Sequence, residues 1–82
     1  MAASALHLFG QAVREQRLAR GWTQEQLAER ADLHENYISR LETGNQEPGL
    51  LVVLKLSRAF QLTPAELLDA FTAATLRAIR LR

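Results

Sequence analysis

The side chains in this sequence best suited to chemistry lie close together, between His34 and Gln46. Glu35 can accept from the N4 amine of cytosine, Asn36 can pair bidentately with adenine, and Arg40 can fork onto O6 and N7 of guanine. Ser39 can touch a base or a phosphate, and the imidazole of His34 can face the same partner. Plainer roles compete with these: Glu35 suits a helix N-terminus electrostatically, and Arg40 could sit in a surface ion pair. Nothing comparable supports catalysis. Cysteine is absent, and no paired acids, nucleophile–base arrangement or glycine-rich phosphate loop can be found. His34 has no second metal ligand at i+3 or i+4, and His7 is remote. The sequence therefore predicts no enzyme, no metal and no cofactor.

Two short helices joined by a tight turn would present these groups. Thr23 and Gln26 fit a capping box, each occupying an unpaired donor of the other. That helix runs to about Arg30, Ala31 to Leu33 make the turn, and a second helix continues to Thr43. Gly44 then suits a left-handed end. Ile38 and Leu41 give the second helix its buried side, leaving His34, Glu35, Asn36, Ser39 and Arg40 on other faces. The pattern is a helix-turn-helix. Gln24, in the first turn of the first helix, can bond a phosphate where the helix N-terminus also attracts one, or it is simply a solvated helix start. Tyr37 reaches a phosphate through its hydroxyl or packs against the preceding helix.

Ser4 can cap an earlier helix from Ala5 to about Arg20, closed by Gly21. At about 100° per residue, Leu6, Phe9, Gly10, Val13 and Arg17 share one face. A guanidinium in an apolar stripe needs a partner, and Glu42 is the best candidate carboxylate; otherwise Arg17 snorkels to solvent along its stem. Trp22 reads as a lid on the core rather than a stacking platform for bases. After the polar loop Asn45-Gln46-Glu47-Pro48, a fourth helix spans about Gly49 to Phe60, with Leu50, Val53, Leu54 and Phe60 inward and Lys55 and Arg58 solvated. Thr63-Pro64-Ala65-Glu66 is a second capping box with proline in the first turn. It opens a fifth helix reaching about Arg80, with Arg77, Arg80 and Arg82 at its basic end.

The run TQEQLAERADLHENYISRLETGNQEPGLLVVLKLSRAFQLTPAELL resembles the phage repressor and Cro-like (XRE) helix-turn-helix group, and the likeness extends over roughly residues 7 to 69. Within that group it is most like the controller proteins of restriction–modification systems. The resemblance implies an all-α, five-helix phage-repressor-like DNA-binding domain, with the helix-turn-helix in helices 2 and 3. It also implies an internal ion pair at Arg17 and Glu42, a DNA-contacting glutamine at Gln24, and backbone contacts from Asn45 and Gln46. For function it implies regulation of the chain's own gene and of an endonuclease gene; a phage or plasmid repressor, or an antitoxin, is the alternative. Two positions depart from the group. Asp32 stands where glycine is usual, and His34 where a Ser or Thr cap is common.

A composition of 48% hydrophobic and 23% charged residues reads as ordinary globular protein, and residues 1–82 are expected to form one domain. No stretch approaches the roughly 18 apolar residues of a membrane span, so no membrane partner is expected. The location expected is the cytoplasm of a bacterium, associated with the nucleoid, in a bacterial or phage-encoded protein. With a formal net charge of only +1, affinity for duplex DNA must come from a few well-placed arginines and helix N-termini. One recognition helix reads too few base pairs for selectivity. Two-fold pairing would set two of them about 34 Å apart over a palindromic operator. Leu51 and Val52, apolar where the group usually has polar residues, are with Phe71 and Leu76 the expected homodimer contact, residues 64–82 contributing. No small-molecule ligand is expected.

Overall fold

The computed structural model describes residues 4–81; Arg82, the last of the terminal arginines, lies outside them. Six helices follow one another: α1 (Ala5–Ala19), α2 (Gln24–Ala31), α3 (Glu35–Glu42), α4 (Leu50–Phe60), α5 (Pro64–Leu67) and α6 (Ala73–Ala78). Side-chain oxygens start most of them. Ser4, Thr23, Thr63 and Thr72 each accept from the backbone N–H three residues on, and Thr23/Gln26 and Thr63/Glu66 complete capping boxes.

The first four helices end alike. A residue in the left-handed region follows the last turn, and the next N–H reaches back five residues, as Trp22 does to Arg17, Leu33 to Ala28, Asn45 to Arg40 and Leu62 to Ser57. Gly21 and Gly44 fill two of these positions without steric cost; Asp32 at φ 56° and Gln61 at φ 58° fill the others. Lys55 offsets part of the strain at Asp32, its Nζ donating to the Asp32 carbonyl at 3.2 Å with the carboxylate 3.6 Å away. Lys55 is thus half-buried and engaged rather than solvated.

The core is built from Phe9, Val13, Leu27, Ala28, Ala31, Ile38, Leu41, Leu56, Phe60 and Leu67. Here α1 crosses the end of α3 so closely that a Cβ on Gly10 would collide with the Leu41 carbonyl and lie 2.8 Å from that of Glu42. Trp22 closes one side, stacked on Phe60 with ring centroids 5.9 Å apart and capped by the Arg30 guanidinium 4.4 Å from its centroid.

Two further expectations are corrected. The single long helix from Pro64 breaks into α5 and α6, which makes six helices rather than five. Phe71 turns back to pack against the core, its N–H bonded to the Leu68 carbonyl, while the Thr72 hydroxyl caps a new helix. Burying one aromatic and satisfying a fresh N-terminus outweighs continuing the helix through Ala70. Leu50 and Leu54 point outward rather than inward. Val53 and Phe60 do face inward, joined by Leu56 and Ser57, where α4 packs on α2, α5 and α1. The segment after α6 is tied back to the start of α1 by a bond from the Ala5 N–H to the Arg80 carbonyl at 2.9 Å.

Candidate nucleic-acid interface

Alternation along α3 divides it cleanly. Ile38, Leu41 and Glu42 are buried, whereas Glu35, Asn36 and Arg40 are exposed and Ser39 is half-buried. His34 caps α3 with extended backbone but makes no side-chain bond to it, which leaves the first-turn N–H groups and the imidazole open. The Arg40 side chain leans over Tyr37, 5.9 Å from its ring centroid, and its Nε donates to Gln46 Oε1 at 3.1 Å. Its two terminal nitrogens make no hydrogen bond among the described residues, so the planar fork that suits guanine stays available. No carboxylate pairs with it there.

Tyr37 is half-buried against the core. Burial raises its phenol above the ordinary value and Arg40 partly opposes this, so the hydroxyl stays protonated and able to donate. Asn45 and Gln46 adjoin the end of α3, where the Asn45 amide donates to Thr43 Oγ1 at 3.0 Å. Thr43 itself was not among the sequence candidates. It is exposed on the face of Asn36 and Arg40, and its hydroxyl donates to the Ser39 and Arg40 carbonyls. The i, i+4, i+7 spacing of Asn36, Arg40 and Thr43 was the available signal.

Behind this face lies the ion pair between Arg17 and Glu42. The guanidinium meets the carboxylate with two nitrogens, Nε to Oε2 at 2.7 Å and Nη2 to Oε1 at 2.9 Å, while Nη1 donates to the Trp22 carbonyl at 2.9 Å. The hydrogen bond to Glu42 raises the Arg17 pKa above its ordinary value despite burial. The pair fastens α1, the Trp22 turn and the end of α3 to one another. Gln24, half-buried in the first turn of α2, joins it through Nε2, 3.1 Å from Glu42 Oε1.

The residues expected at a subunit contact fall in two places. Leu51 is 71% exposed and lies with Leu54, Lys55 and Arg58 on the outer side of α4, beside the equally open Leu50. Val52 is half-buried against the core. Phe71 is too, lining a shallow apolar cleft with Leu6, Phe9, Val53 and Leu68. Leu76 is exposed on α6. Leu51 and Phe71 therefore do not share one patch within a single chain. Among the described residues, no helix is long and apolar enough to cross a membrane, and no cluster of His, Asp or Glu could hold a metal ion.

Comparison with known proteins agrees with this geometry. A helix-turn-helix family matches residues 13–67. Control protein C.BamHI of Bacillus amyloliquefaciens is 44% identical over 66 residues, spanning 79% of this chain and 82% of that protein. A competence pilus inhibition repressor of Acinetobacter baylyi is 38% identical over 59 residues, or 72% of this chain and 54% of its own length. Among solved structures, the restriction-modification controller protein C.AhdI from Aeromonas hydrophila superposes with a TM-score of 0.73 at 40% identity, covering 76% of this chain and 94% of that one. The chain belongs to the helix-turn-helix family of DNA-binding transcription regulators, alongside the restriction–modification controller proteins.

Proposed function

We propose that this regulator works as a homodimer on a palindromic operator, controlling its own gene and that of a neighbouring restriction endonuclease, in the cytoplasm of a bacterium and close to the nucleoid. The observation that carries the reading is the exposed array of Glu35, Asn36 and Arg40 along α3, with the fork of Arg40 open. In this account these three residues, with His34 and Ser39, select sequence. Gln24, Tyr37, Asn45 and Gln46 hold phosphates and set register. Similarity to control protein C.BamHI and to C.AhdI supports the controller role.

The outer side of α4 around Leu51, joined by residues 64–82, supplies the contact between subunits, because exposed leucines of this density call for cover. A two-fold partner would then double the base pairs read. Regulation follows protein concentration through dimerisation, with no small-molecule effector. A footprint on the chain's own upstream DNA tests this: protection over an inverted repeat supports it, and no protection at micromolar protein rejects it. Likeness to the competence pilus inhibition repressor favours one variation, a plain repressor of other genes, for which the footprint would lie away from any endonuclease gene.

A further inference from the structure

Gln24 is the candidate phosphate contact that the fold ties most firmly to something else. Its Nε2 donates to Glu42 Oε1, the oxygen that also accepts from Arg17 Nη2. The Glu42 side chain is only 2% exposed and its position is held from both sides by the Arg17 fork. A carboxylate in an ion pair only accepts hydrogen bonds, so the nitrogen of the Gln24 amide, not its oxygen, must face it. That contact uses one N–H. The second N–H and the amide oxygen have no hydrogen-bond partner among the described residues. A flipped amide would set its oxygen against the carboxylate and turn both N–H groups away.

We infer that Glu42, anchored by Arg17, is a positioning residue for DNA binding: it fixes the Gln24 amide so that one N–H is ready for a backbone phosphate. The inference rests on the proposed role of Gln24 as a phosphate contact. Its physical content is pre-organisation. A long amide side chain that is already ordered loses little rotational freedom on binding, and its free donor is not in competition with its own oxygen. The ion pair thus acts beyond the packing of α1 on α3, reaching the DNA-facing surface through one shared oxygen.

A double-mutant cycle tests it, using the duplex that the wild-type protein enriches from a random pool. Gln24→Ala should weaken binding roughly tenfold, the scale of one charge-assisted hydrogen bond. Replacing the pair by apolar residues of similar size, Arg17→Met with Glu42→Leu, avoids leaving a lone buried charge. This variant should fold, as a thermal melt would show, and bind about as weakly as Gln24→Ala, with its base preferences unchanged. In that background Gln24→Ala should cost less than about twofold. A full tenfold loss there would overturn the inference.

If Gln24→Ala has no effect in the wild type, the phosphate contact and this inference fall together. Sequence preference at Arg40 would still report on the wider reading. Should the apolar pair fail to fold, nuclear magnetic resonance of the free wild-type protein decides the matter: the Gln24 Nε2 group should show a high order parameter, close to that of the helix backbone, and one of its protons should lie near the end of α3. An order parameter typical of a freely rotating surface glutamine would contradict the inference.

Discussion

Gly10→Ala sets two general effects against each other. Alanine is favoured over glycine inside a helix by about 1 kcal/mol, and Gly10 lies within α1. Against that, the new Cβ would strike the Leu41 carbonyl and sit 2.8 Å from the Glu42 carbonyl oxygen and 2.9 Å from its carbon. These are main-chain atoms of α3, which can withdraw only if the whole helix moves. Overpacking of this kind costs about 1–3 kcal/mol, and the absence of any yielding side chain argues for the upper half of that range. A net loss of about 1–2 kcal/mol is expected, a sizeable share of the 5–15 kcal/mol typical of a domain. Urea unfolding followed by Trp22 fluorescence measures it, since Trp22 is stacked on Phe60 in the folded chain. Because α3 must shift, DNA affinity should also fall under conditions where the variant remains folded. A variant that gains about 1 kcal/mol and binds DNA normally would refute the close-approach argument.

Other substitutions probe separate parts. Arg17→Met alone leaves the Glu42 carboxylate buried and should cost about 3–5 kcal/mol in urea unfolding; the paired replacement with Glu42→Leu should recover most of it. Thr23→Ala removes the cap and half of the capping box of α2, for a loss of about 1 kcal/mol on thermal or urea unfolding. The Glu66 carboxyl is held below the ordinary glutamate range, chiefly by the Thr63 backbone N–H and then by its side chain. A lowered folded pKa contributes stability above the unfolded value of about 4.3 and loses it as pH falls through the folded one. The stability advantage of wild type over Glu66→Gln should therefore shrink in acid, and a gap constant from neutral pH to below that range would contradict it. Leu51→Glu should leave the fold intact and shift sedimentation from dimer to monomer. Phe71→Arg is a poorer probe, because Phe71 also packs against the core.

Much of the scaffold is written locally. Both capping boxes and the glycine endings can be read from a few neighbouring residues, because a cap is satisfied within one turn, whereas the left-handed Asp32 is signalled only by the glycine that the family usually has there. The charge of Arg17 on an apolar face demanded a carboxylate, and Glu42 is where α3 brings one. What could not be read depends on competition between distant parts. Leu68 through Ala74 continue a helical pattern acceptably, and only the pull of the core on Phe71 together with the Thr72 cap breaks it. Leu50 and Leu54 looked internal because residues 50–54 are apolar without interruption, so periodicity alone does not single out a side. Packing on α2, α5 and α1 selects the side of Leu56, Ser57 and Phe60. In the binding face, residue types indicated which groups could read bases. The link from Gln24 to Glu42 joins positions 18 apart and has no sequence signal.

Selection from a random pool of double-stranded oligonucleotides, repeated with Arg40→Ala, addresses the central assignment most directly. The wild type should enrich an inverted repeat with half-sites about one helical turn apart. Arg40→Ala should keep the repeat but lose preference at one base pair in each half, with a loss of about 1–3 kcal/mol in affinity. Enrichment of no symmetric sequence, or an Arg40→Ala profile identical to wild type, would contradict the placement of sequence reading on α3.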